Sequence, residues 1–325
     1  MDRTQSAWEE VSEMSPISLV ALRALLVAVL TLPLLSGCES DSDGCDAGSI
    51  GTSPECFPEP PNPAASGKSW RVAFSEEFEG SDYDHGKLTP CFDWNYDGGC
   101  TSSFNNGKET YRAEQVQVSD GTAILTAEPL ATPEPNDACY QGLCTYKAGL
   151  LSTARPDAES GQYLFPFTYG YVESRMKFPG EPGFFTAFWM VPTDPSYNYR
   201  SEIDIMEVLG GQPETIHMTY SYNGRTESYS VNDGPEDNGA CGVRDYSDEW
   251  VRYGVDWQPE YIAWFINGVE CGRFVDSGRI ENGPMQLILH MMIDNDWERD
   301  ADSLLTDQAR VGRLEVDYIR VYQQY

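Results

Sequence analysis

Apolar residues in this chain recur at every second position in short runs broken by turn residues, which is the period of a half-buried strand. Val172-Glu173-Ser174-Arg175-Met176-Lys177 alternates in this way, and so does the run from Leu314 to Tyr322 near the end. Tyr253 to Trp257, the turn Gln258-Pro259-Glu260 and Tyr261 to Ile266 read as a hairpin, and Asn267-Gly268 then turns the chain again. Trp257 and Trp264 fall in this hairpin as core aromatics. No long segment carries a 3.6-residue apolar period, so helices are not expected to build the core. Many short strands, Gly and Pro turns and abundant aromatics predict an all-β fold, an antiparallel β-sandwich of the jelly-roll type.

One strand-like run is interrupted by charge. Glu202-Ile203-Asp204-Ile205-Met206-Glu207 sets three carboxylates among apolar residues, and ionised groups beside buried apolar surface cost on the order of several kcal/mol unless they are paired or used. Alternate side chains of a strand share a face, so Glu202 and Asp204 point the same way while Glu207 has the opposite parity. A bulge at Ile205–Met206 corrects this and makes Glu202 and Glu207 behave like residues four apart, about 13 Å along the strand. Two long Glu side chains leaning over the shorter Asp then bring their carboxyls to about 5–5.5 Å, the separation of a retaining glycosidase. A helix offers no such arrangement, because residues two and five apart do not share a helical face. The plainer alternative is an acidic loop or a structural cation site, and the flanking Ile, Met, Val and Leu speak for a buried strand instead.

Acid outweighs base across the chain. With 52 Asp+Glu against 21 Lys+Arg the formal charge is −31, which argues against nucleic acid or a polyanionic substrate and suits a neutral polysaccharide. Ser18 to Leu35 is apolar but interrupted by Arg23 and Pro33, too short and too broken to span a membrane, and residues 1–37 read as a signal peptide. Its end, Leu35-Ser36-Gly37-Cys38, resembles the lipobox of bacterial lipoproteins, implying cleavage before Cys38, lipidation of that thiol and an exported chain held to the cell envelope. Met1 and Met14 are both candidate starts. Residues 38–67, rich in Ser, Asp, Gly and Pro, read as a disordered tether, and 68–325 as one catalytic domain without repeats, expected to be monomeric. Of nine cysteines, assigning Cys38 to a lipid leaves eight. Proximity suggests the pairs Cys45–Cys56, Cys91–Cys100, Cys139–Cys144 and Cys241–Cys271 among about 105 possible connectivities.

Five ordered segments match a known pattern. Phe74-Ser75-Glu76-Glu77-Phe78-Glu79-Gly80, Tyr169 to Lys177, Gly183-Phe184-Phe185-Thr186-Ala187-Phe188-Trp189-Met190, Ser201 to Glu207 and Val316 to Tyr322 together resemble glycoside hydrolase family 16, over essentially all of 70–325. The resemblance implies a jelly roll of the concanavalin A-like lectin and glucanase type, with a glycan cleft on the concave face and a retaining, endo-acting mechanism. Carried over by position, Glu202 is the nucleophile, Glu207 the general acid/base and Asp204 the group that hydrogen-bonds between them. Trp189 is nominated as a stacking floor, and Arg175 and His217 as polar groups of the cleft, with Tyr169 to Lys177 as a cleft strand. Asn105 and Asn106 resemble the family's paired-Asn loop, although Gly107 stands where an acidic residue is expected. Glu77, Gly121 and Asp317 match the positions of a structural calcium site. No cofactor is implied for the chemistry.

The bulged spacing with Met206 before Glu207 resembles the laminarinase-like branch, which implies a neutral β-glucan with β-1,3 or mixed β-1,3/1,4 linkages as substrate. Ser201 stands where relatives have glycine directly before the nucleophile, and Arg200 ahead of it would shorten the cleft or read an unusual substituent. Galactan hydrolases such as agarases share the carboxylate spacing. A transglycosylase follows if a sugar hydroxyl, rather than water, intercepts the glycosyl-enzyme. A glycan-binding surface lipoprotein without catalysis is the reading from another class, against which the retention of three buried charges counts.

Overall fold

The computed structural model describes residues 56–93, 100–156, 161–193, 201–222, 225–228 and 238–325. Among these the strands form two sheets. The larger has ten strands, and its path runs β14 (Val269–Phe274), β13 (Ile262–Ile266), β12 (Val251–Trp257), β7 (Gly170–Lys177), β16 (Gly312–Gln324), β4 (Thr122–Pro135), β5 (Leu143–Ala148), β2 (Glu109–Tyr111). Two further strands attach to it, β1 (Trp70–Glu76) beside β16 and β3 (Val116–Ser119) beside β4. The smaller sheet has six strands in the order β11 (Arg225–Ser228), β10 (His217–Tyr222), β9 (Ser201–Leu209), β8 (Phe184–Pro192), β15 (Met285–Ile293), β6 (Leu150–Ser152). Pairing is antiparallel throughout except between β2 and β5. One short helix, α1 (Asp296–Asp300), follows β15.

The main core lies between the sheets. Val172 and Met176 of β7, Val255 and Trp257 of β12 and Trp264 of β13 meet Phe188, Met190, Ile203 and Ile205 of the smaller sheet, all of them buried. Every residue of β8 and β15 is buried, so these two strands are covered on both faces. The hairpin β12–β13 and the Asn267-Gly268 turn form as the turn chemistry predicts, with Asn267 and Gly268 both at positive φ. Cys91–Cys100, Cys139–Cys144 and Cys241–Cys271 are bridged. The expected signal peptide, Cys38 and Cys45 of the fourth expected bridge, and Arg200, lie outside the described residues.

Two expectations are corrected here. Residues 56–67, assigned to the disordered tether, instead pack on the outer face of the larger sheet. Phe57 joins Tyr171, Ala263, Phe265 and Tyr322 in a second small core, with the Arg320 guanidinium 3.7 Å above its ring. Asn62 donates to Asp256 at 2.7 Å and accepts at its carbonyl from Trp70 Nε1 at 2.9 Å. Proline-rich composition hides this because such a segment builds no core of its own, yet its restricted backbone loses little entropy when laid on another surface.

The second correction concerns the cleft strand and the calcium site. The run Tyr169 to Lys177 contains β7 of the larger sheet, so Arg175 does not reach the cleft. Its Nη1 lies 2.7 Å from Asp317, the extra residue of a bulge in β16, and its guanidinium sits 4.9 Å from the Trp250 ring. Glu77 is held by Arg320 through two bonds of 2.9 and 2.7 Å. Both carboxylates of the expected calcium site are thus spent on arginines, while Gly121 serves the β3–β4 turn at φ 75°.

Candidate active site

The bulge in β9 is where the sequence places it. Against β8, Phe188 pairs with Met206 and Trp189 with Asp204, and against β10, His217 pairs with Glu207 and Thr219 with Asp204, leaving Ile205 as the extra residue. Ile203, Ile205 and Met206 all turn into the core, so Glu202, Asp204 and Glu207 share the opposite face and line one cavity of about 340 Å³. From the other sheet, Trp264 Nε1 donates to the Asp204 carbonyl at 2.9 Å, pinning the bulged backbone from beneath.

Electrostatics divide the three carboxyls. Burial lifts Glu202 to about 7. Glu207 rises to about 8, through burial first and the Glu202 charge second. Asp204 is pushed well above the ordinary carboxylate range by burial and by both neighbours. Close carboxylates cannot all ionise together, so protons remain on the cluster at neutral pH. The three carboxyls therefore titrate as one cluster, with the protons shared among Glu202, Asp204 and Glu207. A cluster that holds a carboxylate next to a protonated carboxyl can supply both a base or nucleophile and an acid.

The register across the sheet locates the remaining groups. One row reads His290 of β15, Ala187 of β8, Glu207 of β9 and His217 of β10. The next reads Ile288, Trp189, Asp204 and Thr219. Trp189 and Asn105 line the cavity. His217 stands beside Glu207 and packs on Trp297 at 4.5 Å between ring centroids, and burial lowers its basicity to about 4. Asn105 and Asn106 are both at positive φ; the Asn105 carbonyl accepts from Asp296 N at 3.0 Å and Asn106 donates to the Asp296 carboxylate at 2.7 Å. At Gly107 a Cβ would fall 2.5 Å from the buried Glu109 carboxylate, so this position has no room for the acidic residue expected there.

Helix α1 was not foreseen. It carries Asp296, Trp297 and Asp300 to the cavity rim, and Trp297 is 36% exposed. Its signal was present: Asn295 caps the helix by accepting from Glu298 N at 2.9 Å, and Asn followed three residues later by Glu is an N-terminal signature.

The family model of glycosyl hydrolases family 16 matches residues 105–320. The chain belongs to this family. It is 26% identical over 272 residues to a beta-glucanase of Rhodothermus marinus, covering 78% of this chain and 85% of the relative. It is 27% identical over 261 residues to an endo-1,3-1,4-beta-glycanase of Rhizobium meliloti, of which it spans 51%. In fold it is similar to an endo-beta-1,3-glucanase from Pyrococcus furiosus, with a TM-score of 0.62 at 24% identity over 82% of this chain and 99% of that one. A laminarinase from Rhodothermus marinus gives a TM-score of 0.62 at 23% identity, over 79% and 99%.

Proposed function

We propose that this family 16 chain is a retaining, endo-acting glycoside hydrolase that cleaves a neutral β-glucan with β-1,3 or mixed β-1,3/1,4 linkages. The observation that carries the reading is the single bulge at Ile205, which puts Glu202, Asp204 and Glu207 on one face of an open cavity. Glu202 attacks the anomeric carbon while Glu207 protonates the departing glycosidic oxygen. The leaving sugar chain departs, and Glu207, now a base, takes a proton from the water that releases the glycosyl group from Glu202. Trp189 and Trp297 offer apolar ring faces for pyranose stacking at the floor and rim. The two relatives named above, a beta-glucanase and an endo-1,3-1,4-beta-glycanase, support the substrate class, and the name of the second supports the linkages.

The test is reducing-end release from laminarin, lichenan, agarose and κ-carrageenan by the full chain and by its Glu202→Gln variant. Activity on the β-glucans that disappears in the variant supports the reading. Activity on agarose alone would replace the substrate class, and intact polymer throughout would replace the enzyme by a glycan-binding protein.

Export and anchoring through a lipid on Cys38 belong to the same proposal. The lipobox-like Leu35-Ser36-Gly37-Cys38 supports them, as do three bridged cysteine pairs, which suit an oxidising compartment.

A further inference from the structure

His290 is a buried polar group that the mechanism leaves unused. It is 1% exposed, yet its ring lines the cavity. Phe92 and Tyr111 present their edges to it, and Trp189 does so from the cavity floor, at centroid distances of 5.5, 5.9 and 6.0 Å. Nδ1 lies 3.1 Å from the Tyr111 hydroxyl. Among the described residues Nε2 has no protein hydrogen-bond partner.

Behind Tyr111 the polar chain continues. Its hydroxyl also hydrogen-bonds the buried Glu109 carboxyl, which accepts in addition from Ser103 Oγ at 2.5 Å and from Ile293 N at 2.8 Å. Burial raises Glu109 to about 7, while the bonds from Ser103, Ile293 and Tyr111 all favour its ionised form; as a carboxylate it accepts only, so Tyr111 donates to it and the tyrosine oxygen is left to take the proton of Nδ1. That fixes the tautomer in which Nε2 faces the cavity as a bare acceptor.

The register supplies the scale. His290 and Glu207 sit in one row, separated only by Ala187, which places their backbones two strand spacings apart, roughly 10 Å. Ala187 raises only a methyl group between them, and the gap takes one sugar ring. We propose that His290 is a specificity-determining residue: its Nε2 accepts a hydrogen bond from one hydroxyl of a sugar beside the scissile bond, with Tyr111 and Glu109 as positioning residues that hold the tautomer. Burial, which drives the basicity of His290 down to about 3, leaves the ring neutral at neutral pH. A neutral acceptor suits an unsubstituted hydroxyl and rejects an ether or ester at the same carbon, which has no proton to give.

This assignment rests on the β-glucanase reading. The experiment compares kcat/KM on laminari-oligosaccharides in which each hydroxyl flanking the scissile bond is removed in turn, for wild type, His290→Gln, His290→Phe and Tyr111→Phe. Wild type should lose roughly 10- to 100-fold on one deoxy compound. His290→Phe should be slow on the parent and indifferent to that same deletion, and His290→Gln, with an amide oxygen as acceptor, should regain part of the discrimination. Tyr111→Phe keeps the ring packing and should weaken the discrimination without abolishing turnover, which keeps the test decisive if His290→Phe does not fold. Equal sensitivity of wild type and variants to every deletion would overturn the role of His290 while leaving the glucanase reading intact. A wild type inactive on the parent oligosaccharide would overturn both.

Discussion

Replacing Glu207 by glutamine should make the protein more stable and nearly inactive, and the gain should depend on pH in a defined direction. The carboxyl is raised from 4.5 to about 8 in the folded protein, so the fold disfavours its ionised form. The resulting destabilisation is absent below the unfolded value, near 4.5, grows as pH rises, and is complete above about 8. Each unit is worth about 1.4 kcal/mol, which bounds the effect at several kcal/mol. The cavity is open to water, and Glu202 and Asp204 share the same protons, so the gain on removing the charge should be about 1–3 kcal/mol. Urea unfolding of wild type and Glu207→Gln at pH 4.5 and pH 8.5 measures it directly. The two proteins should unfold together at the lower pH, and the variant should be the more stable at the higher. In thermal melts the difference is roughly 2–4 °C for each kcal/mol. Loss of the proposed general acid should lower kcat by about 100- to 10,000-fold on an unactivated glucan. A variant no more stable than wild type at pH 8.5 would refute the argument that burial and the neighbouring charge hold a proton on Glu207.

Other outcomes follow from the same geometry. Glu202→Ala should abolish glucan hydrolysis, and azide added with an activated aryl glycoside should restore turnover with an inverted glycosyl azide as product, detected by NMR. Arg175→Ala should leave kcat and KM unchanged, because Arg175 pairs with Asp317 on the other sheet, and with both side chains more than a third exposed it should cost at most about 1 kcal/mol in urea unfolding. Trp297→Ala should raise KM with kcat nearly unchanged, since the ring sits at the rim rather than at the carboxylates. Cys38→Ala should abolish incorporation of a labelled fatty acid and release the protein from membranes in fractionation.

What the sequence makes legible is set by how far apart in the chain the interacting groups lie. Alternation is local, so the strands, the hairpin of β12 and β13 and the bulge at Ile205 can be read directly, and with them the common face of Glu202, Asp204 and Glu207. The sheet that a strand joins is not local. Val172 to Lys177 alternates as a cleft strand would, and only its pairing with β12 and β16 assigns it to the other sheet, which carries Arg175 away from the substrate. Residues 56–67 fail for a related reason: composition says that they cannot fold alone, and is silent on whether Tyr171 and Tyr322 offer them a surface. His290 lies deepest in this blind zone. In sequence it is one of two polar residues, with Gln286, in the otherwise apolar run Met285 to Ile293, where a histidine satisfied within the core is the ordinary expectation. Its placement needs two registers in succession, β15 on β8 and β8 on β9, before it falls in line with Glu207. A shift of one residue in the first of these would turn His290 into the core and put an apolar neighbour in its place. The reacting carboxylates sit on one strand and depend only on its bulge, whereas the groups that would choose the sugar come from four strands and a helix, so reaction class is legible in this sequence and sugar preference requires the assembled sheet.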